Sequence, residues 1–208
     1  KLSFVSDMGI SLANAIRRSV LEIPIMAIDE IEIIKNDSAL YDEIIAHRIG
    51  LIPIKTDKGS KETKFKLKVV GPKKVTSGDL KPSTEADDKI PIVILDKEQE
   101  IEMVCEARLG LGIDHIKYSP GLMFYRHNLD SDILDYVYVD DTKVSYDEEE
   151  LKNKGLSEDQ IKKIKSVKES KEIEVNLESW GQIPVKDIFV NAIDVLNGNL
   201  KELDKTVK

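Results

Sequence analysis

SDMGISLANAIRRSVLEIPIMAIDEIEIIKN, residues 6–36, sets the architecture of this chain. Asp7-Met8-Gly9 reads as a turn and Ser11 as the N-cap of a helix. Leu12, Ile16, Ser19, Val20 and Ile23 recur at helical spacing until Pro24 stops the run. At about 100° per residue, Leu12, Ile16, Val20 and Ile23 fall within an arc of about 80°, with Asn14, Arg17 and Arg18 on the other side. That polar side suits contact with another protein, because arginine offers planar, bidentate pairing and is enriched at interfaces. Past the proline, 28–34 is a strand, with Ile31 and Ile33 alternating against Glu30 and Glu32.

Outward from this segment, 2–5 is the end of another strand. Ser38 is expected to cap a second helix over 39–48, carrying Leu40, Ile44 and Ile45, with Ile49 and Gly50 closing it. Residues 51–54 are extended, and Pro53 makes them an edge element. Phe65, Leu67 and Val69 alternate with lysines, as in a half-buried strand. Residues 71–89 are turn-rich and polar. Strands follow at 90–95, at 101–109 with Met103, Cys105, Ala107 and Leu109 on one side, at 122–125 and at 133–139.

From 140 to 172 charges crowd together. Capping boxes at Ser145 with Glu148 and at Ser157 with Gln160, separated by Gly155, mark two short helices anchored by Leu151, Ile161, Ile164 and Val167. Ile173, Val175 and Leu177 restore strand alternation, and a last helix is expected over 185–197. Its Val185, Ile188, Phe189, Ala192, Ile193, Val195 and Leu196 cover an arc of about 160°. Packing on one sheet needs a stripe of only about 100°, so part of this arc awaits another surface. The fold class is α+β. Two similar helices near opposite chain ends imply one domain built from both termini, with a second domain inserted between them.

Of 208 residues, 41% are hydrophobic and 34% charged, a globular balance. The net charge of −8 argues against nucleic acid as the main direct contact. Cys105 is the single cysteine, which rules out a disulfide framework and fits a reducing cytoplasm. No apolar run approaches the 18 residues of a membrane span. The chain opens on Lys1 rather than Met, so the first strand is expected to be incomplete.

Catalytic signatures are sparse. With one cysteine, the histidines His47, His115 and His127 cannot form a sulfur-rich zinc site, and no pair has i,i+4 spacing. Leu109-Gly110-Leu111-Gly112-Ile113 is read as a flexible turn after a strand rather than a phosphate loop. Asp140-Asp141 and 148–150 are read as solvated faces or helix starts. A small stand-alone enzyme or metal-binding protein using Asp114, His115 and the Gly110–Gly112 turn stays open as the alternative reading.

Several segments resemble one family. Ala13-Asn14-Ala15-Ile16-Arg17-Arg18 with Glu22-Ile23-Pro24-Ile25-Met26-Ala27-Ile28 is similar to the signature helix of the D subunit of archaeal RNA polymerase, of the eukaryotic third-largest subunit, and of the bacterial alpha amino-terminal domain. Asp42-Glu43-Ile44-Ile45-Ala46-His47-Arg48-Ile49-Gly50-Leu51-Ile52-Pro53 resembles the second family segment. Val75-Thr76-Ser77-Gly78-Asp79-Leu80 resembles a third. Ala107-Arg108-Leu109-Gly110 with Gly112, His115, Lys117, Tyr118 and Pro120 resembles a fourth, and Glu178-Ser179-Trp180-Gly181 the last. These run in family order over nearly the whole chain. The archaeal version fits best: residues 71–89 lack the cysteines of the eukaryotic zinc cluster, and the Ala-His-Arg form of the second segment is not bacterial.

The resemblance implies an alpha-amino-terminal-domain-like fold. A dimerisation domain would comprise 1–27 plus 170–208. An inserted, mainly-β domain would span 28–169, with 145–168 as a charged helical insertion. Some archaeal relatives carry an iron–sulfur cluster in that insertion; here the span has no cysteine, so neither iron–sulfur cluster nor zinc is expected. The resemblance further implies a non-catalytic assembly scaffold in the cytoplasm. It would pair with a small L-type subunit, join N-type and P-type subunits and receive the large catalytic subunits, with no direct sequence-specific nucleic-acid contact. The dimer interface is expected to use Leu12, Ile16, Val20, Ile23, Ile188, Phe189, Ala192, Ile193 and Leu196. Asn14, Arg17, Arg18, His47, Arg48, His115 and Lys117 are expected to meet a large subunit.

Overall fold

The computed structural model describes residues 1–140, 142–153, 155–167 and 170–207. In chain order the elements are β1 (Leu2–Ser6), α1 (Ile10–Ser19), a 3-10 turn (Val20–Glu22), β2 (Ile25–Asn36), α2 (Asp42–Gly50), β3 (Thr63–Val70), β4 (Lys73–Thr76), β5 (Pro91–Leu95), β6 (Glu100–Gly110), a 3-10 turn (Ile116–Tyr118) and β7 (Gly121–His127). There follow α3 (Ser131–Leu134), β8 (Tyr138–Asp140), β9 (Lys143–Ser145), α4 (Glu148–Asn153), α5 (Glu158–Ser166), β10 (Ile173–Ser179) and α6 (Val185–Val207). Mixed helix and sheet agree with the α+β expectation. Among the described residues no helix is long and apolar enough to cross a membrane.

The chain divides into two compact units. One joins Lys1–Arg17 to Met123–Leu177; the other joins Arg18–Leu122 to the chain from Glu178 onward. These boundaries differ from the expected 1–27 plus 170–208 around 28–169. Residues 123–169 group with the amino-terminal segment, because β10 is bonded to β1 on one side, antiparallel with Leu2 opposite Leu177 and Ser6 opposite Ile173, and to β7 on the other.

In the larger unit β6 lies at the centre of the sheet β2-β6-β3, antiparallel to both neighbours. Ile101, Met103, Cys105 and Ala107 point into the core with Phe65, Leu67 and Val69 of β3, as the alternation requires. Leu109, expected on the same side, is exposed. The first four residues of β2, Ile25, Met26, Ala27 and Ile28, are all buried, and alternation begins only after them. Helix α2 seats Ile45 and Ile49 in this core. Asp42 and Glu43 in its first turn and His47 and Arg48 in its last complement its dipole.

Several local expectations are corrected. Helix α1 starts at Ile10, where the Ala13 N–H donates to the Gly9 carbonyl, so Ser11 lies inside it. Ser38 does not cap α2. Its hydroxyl donates to Asn36 Oδ1 in a turn, and the helix starts after Tyr41. The polar span 71–89 contains β4, paired with β5. The expected strand 133–139 is instead the short helix α3 followed by β8. Ser145 closes β9, and Asp147 heads α4 by accepting the Glu149 N–H; the box at Ser157 and Gln160 forms as read. Asp141 lies outside the described residues. Helix α6 runs ten residues past Asn197, through an Asn-Gly-Asn run of weak helix formers.

The smaller unit has its own apolar cluster: Ile133, Leu151 and Ile164 buried, with Tyr136, Val137, Tyr146, Leu156 and Val167 packed on them. So small a cluster depends on each member. Leu151→Ala should cost about 2–5 kcal/mol locally. Native-state hydrogen exchange should then speed across 131–167 while the amides of Ile101, Met103 and Cys105 in β6 keep their protection.

Candidate functional site

The site grows from a β-bulge. Pairing of β2 with β6 runs Ile28 opposite Ala107 and then Glu30 opposite Glu106, leaving Asp29 as the extra residue. A bulge re-aims the side chain it carries. The Asp29 carboxylate, 17% exposed, accepts from the Lys117 ammonium at 2.5 Å, from the Arg108 guanidinium at 2.6 Å and from the Tyr118 hydroxyl at 2.9 Å. Lys117, 14% exposed, also lies 5.1 Å from the centre of the Tyr118 ring. One acid therefore ties β2 to the end of β6 and to the turn at Ile116–Tyr118.

Lys117 does most to hold the Asp29 carboxyl below its ordinary value, with help from Tyr118 and Arg108 and against the effect of burial. The turn itself is built locally: His115 Nδ1 accepts the Lys117 N–H at 3.1 Å. Gly110 has a packing reason beyond the flexible-turn reading. A Cβ there would sit 2.5–2.7 Å from ring atoms of Tyr118, so only glycine lets the ring close over the strand end.

Beside Asp29 is a recess of about 220 Å³ whose lining includes Ala46, His47, Gly50, His115 and Lys117. The structure thus brings together three residues the sequence analysis singled out, His47, His115 and Lys117, around an aspartate it did not. Exposed Ile113 and Ile116, 59% and 66% accessible, lie on the same loop. Arg48 does not line the recess. Its guanidinium donates to the Ile92 carbonyl at 2.6 Å and braces α2 against β5. On α1, Asn14 Oδ1 accepts from Arg17 Nε at 3.2 Å and Nη2 at 2.9 Å, and Arg18 is exposed. Among the described residues no group of three or more His, Cys, Asp or Glu is placed to hold a metal ion.

The expected dimer-interface set divides. Ile16, Val20, Ile23, Ile188 and Ala192 are buried within the chain, so they hold the fold and offer no area to a partner. Leu12 is exposed, because the buried side of α1 is that of Ala13 and Ile16. Phe189, Ile193 and Leu196 are half-buried. The same stripe continues to Leu200, Leu203 and Val207, which are 54%, 59% and 79% exposed and were missed with the end of the helix. Their spacing of four, three and four residues from Leu196 was the available signal.

Asp29→Asn should destabilise the fold by roughly 1–3 kcal/mol at neutral pH, since bonds to charged groups are lost. A carboxylate whose folded-state pKa lies below the ordinary 3.8 stabilises the fold above that value and ceases to do so as pH falls through the folded-state pKa. Urea titrations should therefore show a constant gap between the two proteins above about pH 5, closing below the ordinary carboxylate value. A gap independent of pH down to about pH 2 would exclude the ion-pair account.

Residues 21–124, half the chain, match the RNA polymerase Rpb3/RpoA insert domain family. This stretch carries the bulge, the recess and the Asp29 cluster. The chain is similar to DNA-directed RNA polymerase subunit Rpo3 of Thermococcus kodakarensis, at 41% identity over 59% of this chain and 53% of that protein. It is also similar to the Rpo3 subunit of Halobacterium salinarum, at 30% identity over 98% of this chain and 91% of the relative. The Rpo3 subunit of Archaeoglobus fulgidus matches at 28% over 100% and 94%. The chain spans about half the length of the Thermococcus and Pyrococcus relatives it matches. With the insert domain in place and similarity covering 98% of this chain and 91% of the Halobacterium relative, the chain belongs to the Rpo3 family of archaeal DNA-directed RNA polymerase subunits.

Proposed function

We propose that this chain is a non-catalytic assembly scaffold of an archaeal DNA-directed RNA polymerase. It pairs with a small L-type subunit, joins N-type and P-type subunits, and presents a platform to the large catalytic subunits. The observation that carries this reading is the apolar stripe of α6. Ile188 and Ala192 anchor the first half of the helix in the chain, α6 packs on the turn at Val20–Glu22, and Asn199 donates to Glu22 at 2.8 Å. Beyond that anchor Leu200, Leu203 and Val207 leave an apolar ridge in water. At about 100° per residue, Leu196, Leu200, Leu203 and Val207 fall within about 60°, a seam that a second helix pair can cover. The partner-facing residues are then Phe189, Ile193 and Leu196, continued by Leu200, Leu203 and Val207.

A second contact surface is the recess at His47, His115 and Lys117 with exposed Ile113 and Ile116. An apolar pair beside fixed polar groups is the composition of a protein interface. The polar side of α1, at Asn14, Arg17 and Arg18, is a third. Both receive the large subunits. Base-specific contact with nucleic acid forms no part of the role, and the chain acts in the cytoplasm.

Leu200→Glu with Leu203→Glu tests the dimer seam. Each large side chain buried contributes roughly 1.5–3 kcal/mol, so losing two should weaken pairing with the co-expressed L-type partner by more than about a hundredfold. Both residues are exposed, so circular dichroism should show an unchanged monomer melt. Size-exclusion chromatography showing an intact heterodimer would refute the seam. The scaffold also works without cofactor. Burial pushes the Cys105 thiol up to about 12, and a protonated, enclosed thiol is a poor metal ligand. Elemental analysis of anaerobically purified chain should find neither iron nor zinc in stoichiometric amount.

A further inference from the structure

Charge is unevenly distributed along this chain. Residues 55–81 carry nine lysines against Asp57, Glu62 and Asp79, a formal charge of +6 in a chain whose total is −8. Strand β3 turns Phe65, Leu67 and Val69 inward, so its alternation puts Lys64, Lys66 and Lys68 on the outer face. Some of this charge is matched: Lys64 by Glu106, Lys68 by Glu102 at 2.6 Å and Lys73 by Asp79 at 2.6 Å. Lys66 and Lys81, which have no such partner, line one open cleft of about 440 Å³ together with the paired Lys68 and Lys73.

Within that cleft Lys66 and Lys81 form a backbone bridge. The Lys66 N–H donates to the Lys81 carbonyl at 2.7 Å and the Lys81 N–H to the Lys66 carbonyl at 2.9 Å. Residues bonded in this way stand directly opposite, with side chains on the same face, and like charges so placed destabilise a sheet. Among the described residues no carboxylate lies within ion-pair distance of either lysine, though Asp79 attracts Lys81 at longer range; Lys81 donates to the Gly78 carbonyl at 3.3 Å. The acid lining the cleft, Asp79, already accepts from Lys73 and from the Thr76 N–H. The cleft therefore holds four lysines against one lining acid, a net positive charge that an external anion would neutralise.

The residue types select the anion. Protein interfaces favour aromatic residues and arginine and are depleted in lysine. Residues 55–81 contain no arginine, their one aromatic, Phe65, is buried, and Val70 is the exposed large apolar side chain. The stretch also contains no asparagine or glutamine, so it lacks the side chains that pair bidentately with guanine and adenine, and it has no exposed ring on which bases could stack. Lysine ammonium groups act as point charges suited to phosphates. We infer that the cleft at Lys66 and Lys81 is a sequence-independent docking surface for the phosphate backbone of duplex DNA. This goes beyond the scaffold role and does not depend on the dimer seam.

Fluorescence anisotropy of the full chain with a labelled duplex of random sequence, from about 50 to 200 mM KCl, tests it. The logarithm of the affinity should fall linearly with the logarithm of salt concentration, with a slope of about −0.9 for each phosphate engaged. Four phosphates would give a loss of about 150-fold across that range. Lys66→Ala with Lys81→Ala should weaken binding at the low-salt end and reduce the loss to about 12-fold, corresponding to two phosphates fewer. Lys89→Ala with Lys97→Ala, removing exposed lysines outside the cleft, should change neither. Absence of saturable binding at low salt, or an unchanged slope in the cleft variant, overturns the inference. Poly-glutamate displacing the duplex at lower charge concentration than unlabelled DNA overturns it in favour of an acidic protein segment. Heterodimer formation by the cleft variant, followed by chromatography, separates this outcome from failure of the scaffold reading.

Discussion

The constraint on which the larger unit depends is the register of β6. Its inward residues Ile101, Met103, Cys105 and Ala107 alternate with Glu102, Val104 and Glu106. A one-residue slip against either neighbour would drive the glutamates into the apolar core. Burying an unpaired carboxylate is costly enough to fix the pairing on both sides. With β6 fixed, β3 must show its lysines outward and β2 must bring Ile28 opposite Ala107. The hydrophobic pattern of one strand thereby sets the charge pattern of the whole outer face.

The bulge at Asp29 modifies this rule at one point. The stretch of β2 before it is buried throughout, and the stretch after it alternates. The inserted residue carries the change between the two regimes and turns an acid toward Lys117, Tyr118 and Arg108. Lys117 and Asp29 are both shielded from water, so their attraction is screened far less than that of the exposed lysine–glutamate pairs on the outer face. Arg108, 60% exposed, contributes less. The loop that follows β6 is held in shape by this cluster and by a ring that closes over Gly110.

Helix α6 shows how one amphipathic element can serve two purposes. Twenty-three residues make it roughly 34 Å long. Ile188 and Ala192 are fully buried near its start. The stripe then passes through half-buried Phe189, Ile193 and Leu196 to an exposed end. A ridge of leucine and valine in water is unfavourable for an isolated chain, and covering it would favour association.

By itself, the sequence determined strands β3, β6 and β10, since an alternation of buried and charged residues admits one pleated arrangement, but it did not mark β4 or β9 and it placed a strand where α3 and β8 lie. It also determined the family, through motifs spaced along most of the chain, and it marked His47, His115 and Lys117. Helix ends were less legible. Ser11 and Ser38 are competent caps that the backbone does not use, and Asn197-Gly198-Asn199 reads as a stop through which the helix continues. Tertiary structure alone decided the role of Asp29, because a bulge depends on the register of two strands and one strand's sequence does not encode it. It alone separated the buried from the exposed members of the α1 and α6 stripes, because a helical arc gives direction without saying what covers it. It alone set Lys66 against Lys81, far apart in sequence, because a backbone bridge between distant segments leaves no local periodicity to read.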